Sequence, residues 1–158
     1  MSTPSQLIES YLAGVKTLRQ AIAGMTRAQA QARPVPGKWS TLEVVCHITD
    51  FEPVYADRMK RVIAEDRPPI LGADEQKFAA ALAYHARDLE EELAIVERTR
   101  QQMARILRTL PESAWQRVGV HNEAGPLTLQ EFLERVTNHI PHHVKFIQEK
   151  RRALGLAL

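Results

Sequence analysis

"STLEVVCHITDFEPVYADRMKRVIAE", residues 40–65, decides how this chain folds. Val44, Ile48, Phe51, Tyr55, Met59 and Val62 recur three or four residues apart, which places them on one stripe of an α-helix. "STLE" at its head is a capping box: the Ser40 hydroxyl and the Glu43 carboxylate each satisfy a free backbone N–H of the first turn. The pattern predicts a helix from Ser40 to about Glu65, bent where Pro53 lacks an N–H. His47 lies on this helix, beside its apolar stripe.

Working outward, three further segments show the same period. Leu7, Ile8, Tyr11, Leu12, Val15, Leu18 and Ile22 mark a helix over about 4–24. "TRAQ" at Thr26 opens a short helical turn that ends at Pro34, and "RPVPGKWS" reads as a loop. Phe78, Leu82, Leu89, Leu93, Val96, Met103, Ile106, Leu107 and Leu110 predict one long helix from about Glu75 to Leu110, stopped by Pro111. Its charges, "RDLEEELAIVERTR", read as a solvated face with i,i+4 pairs. "PESAWQRVGVHNEAGPLTL" reads as a long loop with at most one helical turn. "TLQE" at Thr128 caps a last helix to about Arg152, with Leu129, Phe132, Leu133, Val136, Ile140, Val144 and Ile147 as its stripe. Four amphipathic helices of this length fit an all-α four-helix bundle, and its long connections are where a site mouth is expected.

Composition agrees and narrows the function. The chain of 158 residues suits one domain, residues 1–158, large enough to bury a core. A net charge of +2 is too small to imply a polyanionic partner. Lys150, Arg151 and Arg152 complement a helix C-terminus without any ligand, and no basic stripe with interleaved aromatics occurs. We therefore expect no nucleic acid. The lone Cys46 excludes an internal disulfide and reads as a packing residue. No apolar run approaches the roughly 20 residues of a membrane span, and "MSTPSQLIES" lacks the pattern of a signal peptide. No membrane association and a cytoplasmic location are expected.

The histidines carry the chemistry. At about 100° per residue, His143 falls about 40° from His139, between Phe132 at about 20° and Val136 at about 60°, whereas His142 falls at about 300° and faces out. On the earlier helix, His47 sits about 40° from Phe51 and about 60° from Val44. One helix therefore gives one inward histidine and another gives an i,i+4 pair, the spacing by which two imidazoles reach a common metal. Three protein nitrogens leave room for an exchangeable fourth ligand, the catalytic rather than the structural pattern. Pro141 either bends the helix and re-aims the pair, or ends the helix at Ile140. Asp50 is a candidate to orient His47 through its second nitrogen or to act as a base. His121, in the loop, can line the mouth and is the other candidate acid–base group, with Glu43 a third. His85 is a weaker candidate, half exposed. Trp39, Tyr55, Phe146 and Trp115 either shape a pocket or belong to the core.

"PGKWSTLEVVCHITDFE" (36–52), followed by residues 87–143 ending in "GPLTLQEFLERVTNHIPHH", resembles the DinB/YfiT-like superfamily in motif order and separation over about residues 5–150. The resemblance implies an up-down-down-up four-helix bundle, often a homodimer. It also implies a divalent metal, commonly nickel or zinc, held by His47, His139 and His143. It suggests a metal-dependent enzyme acting on a small-molecule substrate, by hydrolysis or by transfer of a low-molecular-weight thiol. The alternative is a non-catalytic metal-binding stress protein. The fourth position separates the two: open to a cleft for an enzyme, covered by a side chain for a structural site. One departure is Phe146, where many relatives carry Gln three residues after the last ligand.

Overall fold

The computed structural model describes residues 3–157. Met1 and Ser2 of the opening segment, and Leu158 of the tail, lie outside the described residues. The elements are α1 (Pro4–Ile22), α2 (Arg27–Gln31), α3 (Thr41–Ala64), β1 (Pro69–Ile70), α4 (Glu75–Ala81), α5 (Leu89–Leu107), β2 (Val118–His121), β3 (Gly125–Thr128) and α6 (Leu129–Ala153). Short 3-10 turns occupy Tyr84–Ala86 and Glu112–Gln116. The capping boxes at Thr26, Ser40 and Thr128 form as expected, and α1 adds one between Thr3 and Gln6.

The four long helices α1, α3, α5 and α6 form the bundle. Each of α1 and α3 packs against both α5 and α6. Two apolar clusters fix the helix directions. One gathers Leu7 and Tyr11 from the start of α1, Met59 and Val62 from the end of α3, Met103 and Leu107 from the end of α5, and Phe132 and Val136 from the start of α6. The other gathers Leu18 and Ile22, Val44 and Ile48, Leu93 and Val96, and Val144 and Ile147, from the opposite ends. Helices α1 and α6 therefore run one way and α3 and α5 the other, the up-down-down-up arrangement. Because α3 and α5 are parallel, residues 65–88 must travel back along the bundle between them.

Three sequence expectations change. The single helix over 75–110 is two: α4 ends at Ala81, Ala83 takes a left-handed φ of 51°, and Asp88 recaps the chain by accepting from the N–H groups of Glu90 and Glu91. Capping by Asp and burial of Tyr84 outweigh the apolar period that runs through the break; Leu82, counted on the stripe, is exposed. The segment 111–128, expected as loop, contains the β2–β3 hairpin, and β1 adds to β2 in parallel, pairing Pro69 with Val120 and Ile70 with His121. Gly119 lets this sheet sit on the bundle end: a Cβ there would lie 2.8 Å from Val62 and 2.9 Å from Ile70.

The charged run of α5 is also not wholly solvated. Glu92 is buried and pairs with Arg87, and Arg100 has no exposed surface. The Arg100 guanidinium donates to the Glu52 carboxylate, to the Tyr11 carbonyl at 2.5 Å and to the Val136 carbonyl at 3.1 Å, linking all four long helices. Helix α6 passes through Pro141 without ending, so His139 and His143 remain on one continuous helix. No helix among the described residues is long and apolar enough to cross a membrane.

Candidate metal centre

Adjacent packing of α3 and α6 brings the two halves of the histidine pattern together. His47 Nε2 lies 3.0 Å from His139 Nε2 and 3.1 Å from His143 Nε2. One ring nitrogen from each of the three falls within 4.8 Å of the others. His47 is buried, and Trp39 and Phe51 pack on its ring at centroid distances of 5.4 and 4.6 Å. Such surroundings favour the neutral ring. Burial pushes the His139 pKa down to about 2 and the His143 pKa to about 3, and the neighbouring imidazoles push the same way. Burial also lowers that of His47, against a smaller opposing pull from Glu75. All three rings thus keep a free lone pair at neutral pH, the form that binds a metal.

The nitrogens open onto a cavity of roughly 610 Å³ between α3, α6 and the returning connector. Trp39, Tyr55 and Phe146 line it, so these aromatics shape a pocket. Trp115 does not; it is buried in the core at the other end of the bundle. His142 is exposed, as expected, but it also lines the mouth of the cavity, stacked edge-on against His143 and Phe146.

Two residues expected beside the metal are engaged elsewhere. Asp50 does not meet His47, whose Nδ1 has no hydrogen-bond partner among the described residues. The Asp50 carboxylate instead takes both ends of the Arg87 guanidinium at 2.9 and 3.0 Å, because the chain break before α5 brings Arg87 over α3. His121 lies on β2, away from the cavity lining, and its Nδ1 accepts the N–H groups of Glu123 and Ala124, closing the hairpin turn. Glu43 completes the Ser40 cap and pairs with Arg33. His85 is exposed. Cys46 is buried, and burial pushes its thiol up to about 12, which leaves it a packing residue.

Two cavity residues were not anticipated as site residues. Glu75, the first residue of α4, places a half-exposed carboxylate 3.8 Å from His47 Nε2. The signal was present as "ADEQ", an Asp cap followed by an acidic first turn, but only the fold shows that α4 returns over the site. Lys150 lines the cavity while only 2% exposed. Seven residues after His143, it returns to within about 20° of the same helix face, so its position was legible too.

The model of the DinB superfamily matches residues 12–147. The chain belongs to the DinB superfamily. It is 27% identical over 139 residues to "Putative metal-dependent hydrolase YfiT" of Bacillus subtilis, covering 87% of this chain and 78% of that one. It is 26% identical over 155 residues to a "Putative metal-dependent hydrolase" of Geobacillus thermodenitrificans, covering 94% and 86%. The solved structure of YfiT from Bacillus subtilis, described as a "probable metal-dependent hydrolase with an unusual four-helix bundle topology", superposes with a TM-score of 0.91 at 25% identity, covering 99% of this chain and 91% of that one. The family thus agrees with the bundle topology fixed by the two apolar clusters.

Proposed function

We propose that His47, His139 and His143 hold one divalent cation and that this centre hydrolyses a small organic substrate seated in the adjoining cavity. The observation behind this reading is the convergence of three neutral Nε2 atoms on the floor of an open cavity, with one carboxylate at its rim. The donor set fits a cation: imidazole nitrogens at about 2.0–2.1 Å from one tetrahedral ion stand about 3.3–3.4 Å apart, close to the 3.0 and 3.1 Å found from His47. Imidazole suits zinc and nickel alike, and either is consistent with the family resemblance.

A bound divalent cation supplies Lewis acidity, which activates water near neutral pH and polarises a carbonyl. The protein supplies the rest. Glu75, within 4 Å of a ligand nitrogen, is the carboxylate placed to accept a proton at the rim. Trp39, Phe51 and Phe146 give the substrate an apolar wall and exclude water from one side. An open cavity beside the nitrogens supports catalysis over a purely structural metal, whose ligand shell the protein normally closes itself.

The test is metal content and hydrolysis, wild type beside His139→Ala. Wild-type protein loaded with zinc or nickel and freed of excess should retain about one ion per chain and cleave members of an ester and amide panel. His139→Ala should lose both. Equal metal content in the two proteins would refute the three-histidine centre. Equal cleavage with and without metal would refute metal-dependent hydrolysis.

A further inference from the structure

Lys150 is buried in a way that its place near the end of α6 does not explain. A basic residue in the last turn normally reaches solvent while it complements the helix dipole. Arg151 does so, reaching carbonyls of Ala157, Ala21 and Ala23. Lys150 instead turns inward, 2% exposed, and lines the same cavity as the three histidines. An ammonium has three N–H groups, yet its hydrogen bond within the described residues is to its own helix, the Phe146 carbonyl at 3.2 Å. None of the described ion pairs includes it.

The charged groups around it do not remedy this. Glu43 acts on it only at a distance, since its carboxylate is taken by Arg33 and by the Ser40 N–H. Glu149 is exposed on the neighbouring helix position, and Lys38 adds charge of the same sign. Burial accordingly pulls the ammonium below the ordinary lysine range. A buried cation with two free donors, facing a cavity, is a seat for an anion.

We infer that the cavity selects a substrate carrying a carboxylate, which pairs with the Lys150 ammonium while the scissile bond lies at the histidine end. This deepens the proposed function and rests on it. Lys150 follows His143 by two turns on one face, and its side chain folds back toward Phe146. The carboxylate would therefore sit one to two helical turns, about 5–11 Å, from the reacting atom. One buried cation matches one negative charge. Phe146, between His143 and Lys150 on α6, and Trp39, packed on His47, suit an apolar linker.

The experiment uses cobalt-loaded protein and two thiols of equal length, 6-mercaptohexanoate and the neutral 6-mercaptohexanol. Each thiolate reports its arrival by a sulfur-to-cobalt charge-transfer band, and only the acid can reach Lys150 with a carboxylate. Wild type should bind the acid about tenfold more tightly than the alcohol, the effect of one charge-assisted hydrogen bond. In Lys150→Met the preference should fall below twofold, while Lys38→Met should keep it. No preference in wild type, a measurement independent of any variant's folding, would overturn the inference and leave the metal reading intact. So would a preference retained in Lys150→Met or lost only in Lys38→Met. Failure of wild type to take up cobalt would remove the metal reading itself, and this inference with it.

Discussion

Replacing Arg100 with Met tests the buried network that ties the bundle together. The guanidinium has no exposed surface and donates to Glu52, Tyr11 O and Val136 O. Glu52 is equally buried, and without Arg100 its carboxylate keeps, among the described residues, only the Tyr11 hydroxyl at 3.3 Å. Removing one partner of a buried ion pair costs about 3–5 kcal/mol, because the other charge stays buried and uncompensated. For a chain of this size each kcal/mol moves Tm by about 2–4 °C, so Arg100→Met should melt roughly 6–20 °C lower. The double variant Arg100→Met with Glu52→Met removes both charges and should recover most of that loss. Urea unfolding followed by circular dichroism gives the free energies, and a cost below about 1 kcal/mol for the single variant would refute the reasoning. A double variant less stable than the single would refute it too. The network also touches the site. Val136 O belongs to the turn of α6 just before Pro141, whose missing N–H leaves the Thr137 carbonyl without its helix partner. Arg100 braces α6 next to this gap, about one turn before His139 and two before His143.

Further outcomes follow from single contacts. Gly14→Ala, ordinarily a helix-stabilising change, should destabilise by about 1–3 kcal/mol, because its Cβ would strike the pinned Arg100 guanidinium and approach Ile140 at 3.5 Å; chemical denaturation reads the sign directly. Glu75→Gln should leave metal content unchanged and lower turnover by about 10²–10⁴ if its carboxylate accepts the proton; an unchanged rate on a cleaved ester would exclude it. Burial alone would raise the Glu43 pKa, but Arg33 and the Ser40 cap hold it below the usual carboxylate value. Its contribution is therefore full above about pH 4.3, the unfolded value, and is lost as pH falls through the lower folded value. Glu43→Gln should flatten that part of the stability–pH curve, and an unaltered slope would count against the pair.

Local signals in the chain predict local structure well. Capping boxes at Thr26, Ser40 and Thr128 start helices where expected, since a cap involves residues three apart and little else. The angular positions of His47, His139 and His143 were readable for the same reason: helical phase depends only on spacing. Expectations failed where a distant partner decides. The apolar period from Phe78 to Leu110 runs unbroken through Leu82–Asp88, and only burial of Tyr84 against α2 and α3, with the Asp88 cap, shows the break. Arg87 then claims Asp50, which local phase alone had assigned to His47. Val118 and Val120 with Asn122 and Gly125 carried a hairpin signal, yet two four-residue strands hold only because β1 and the end of α3 receive them. Glu52 and Arg100 lie 48 residues apart, so neither sequence neighbourhood marks the other as its counterion.

The parallel course of α3 and α5 connects the fold to the chemistry. In an antiparallel bundle a short turn would join them, and the groove between α3 and α6 would stay open. Here residues 65–88 must return along the bundle, and the return lays α4 beside His47, with Phe78 against Phe51 at 5.6 Å and Glu75 at the rim. The same course makes the cavity electrostatically uneven. Its carboxylate, Glu75, is half exposed at the rim, while Lys150 is buried deep on α6 and Lys38 stands beside it. A cation held by three uncharged imidazoles would stand beside Glu75, at the other end, and would leave Lys150 without a counter-charge. A neutral substrate would leave that buried charge uncompensated, and an anionic one would not. On the inference drawn above, the topology that lays α4 beside His47 therefore also favours an anionic occupant.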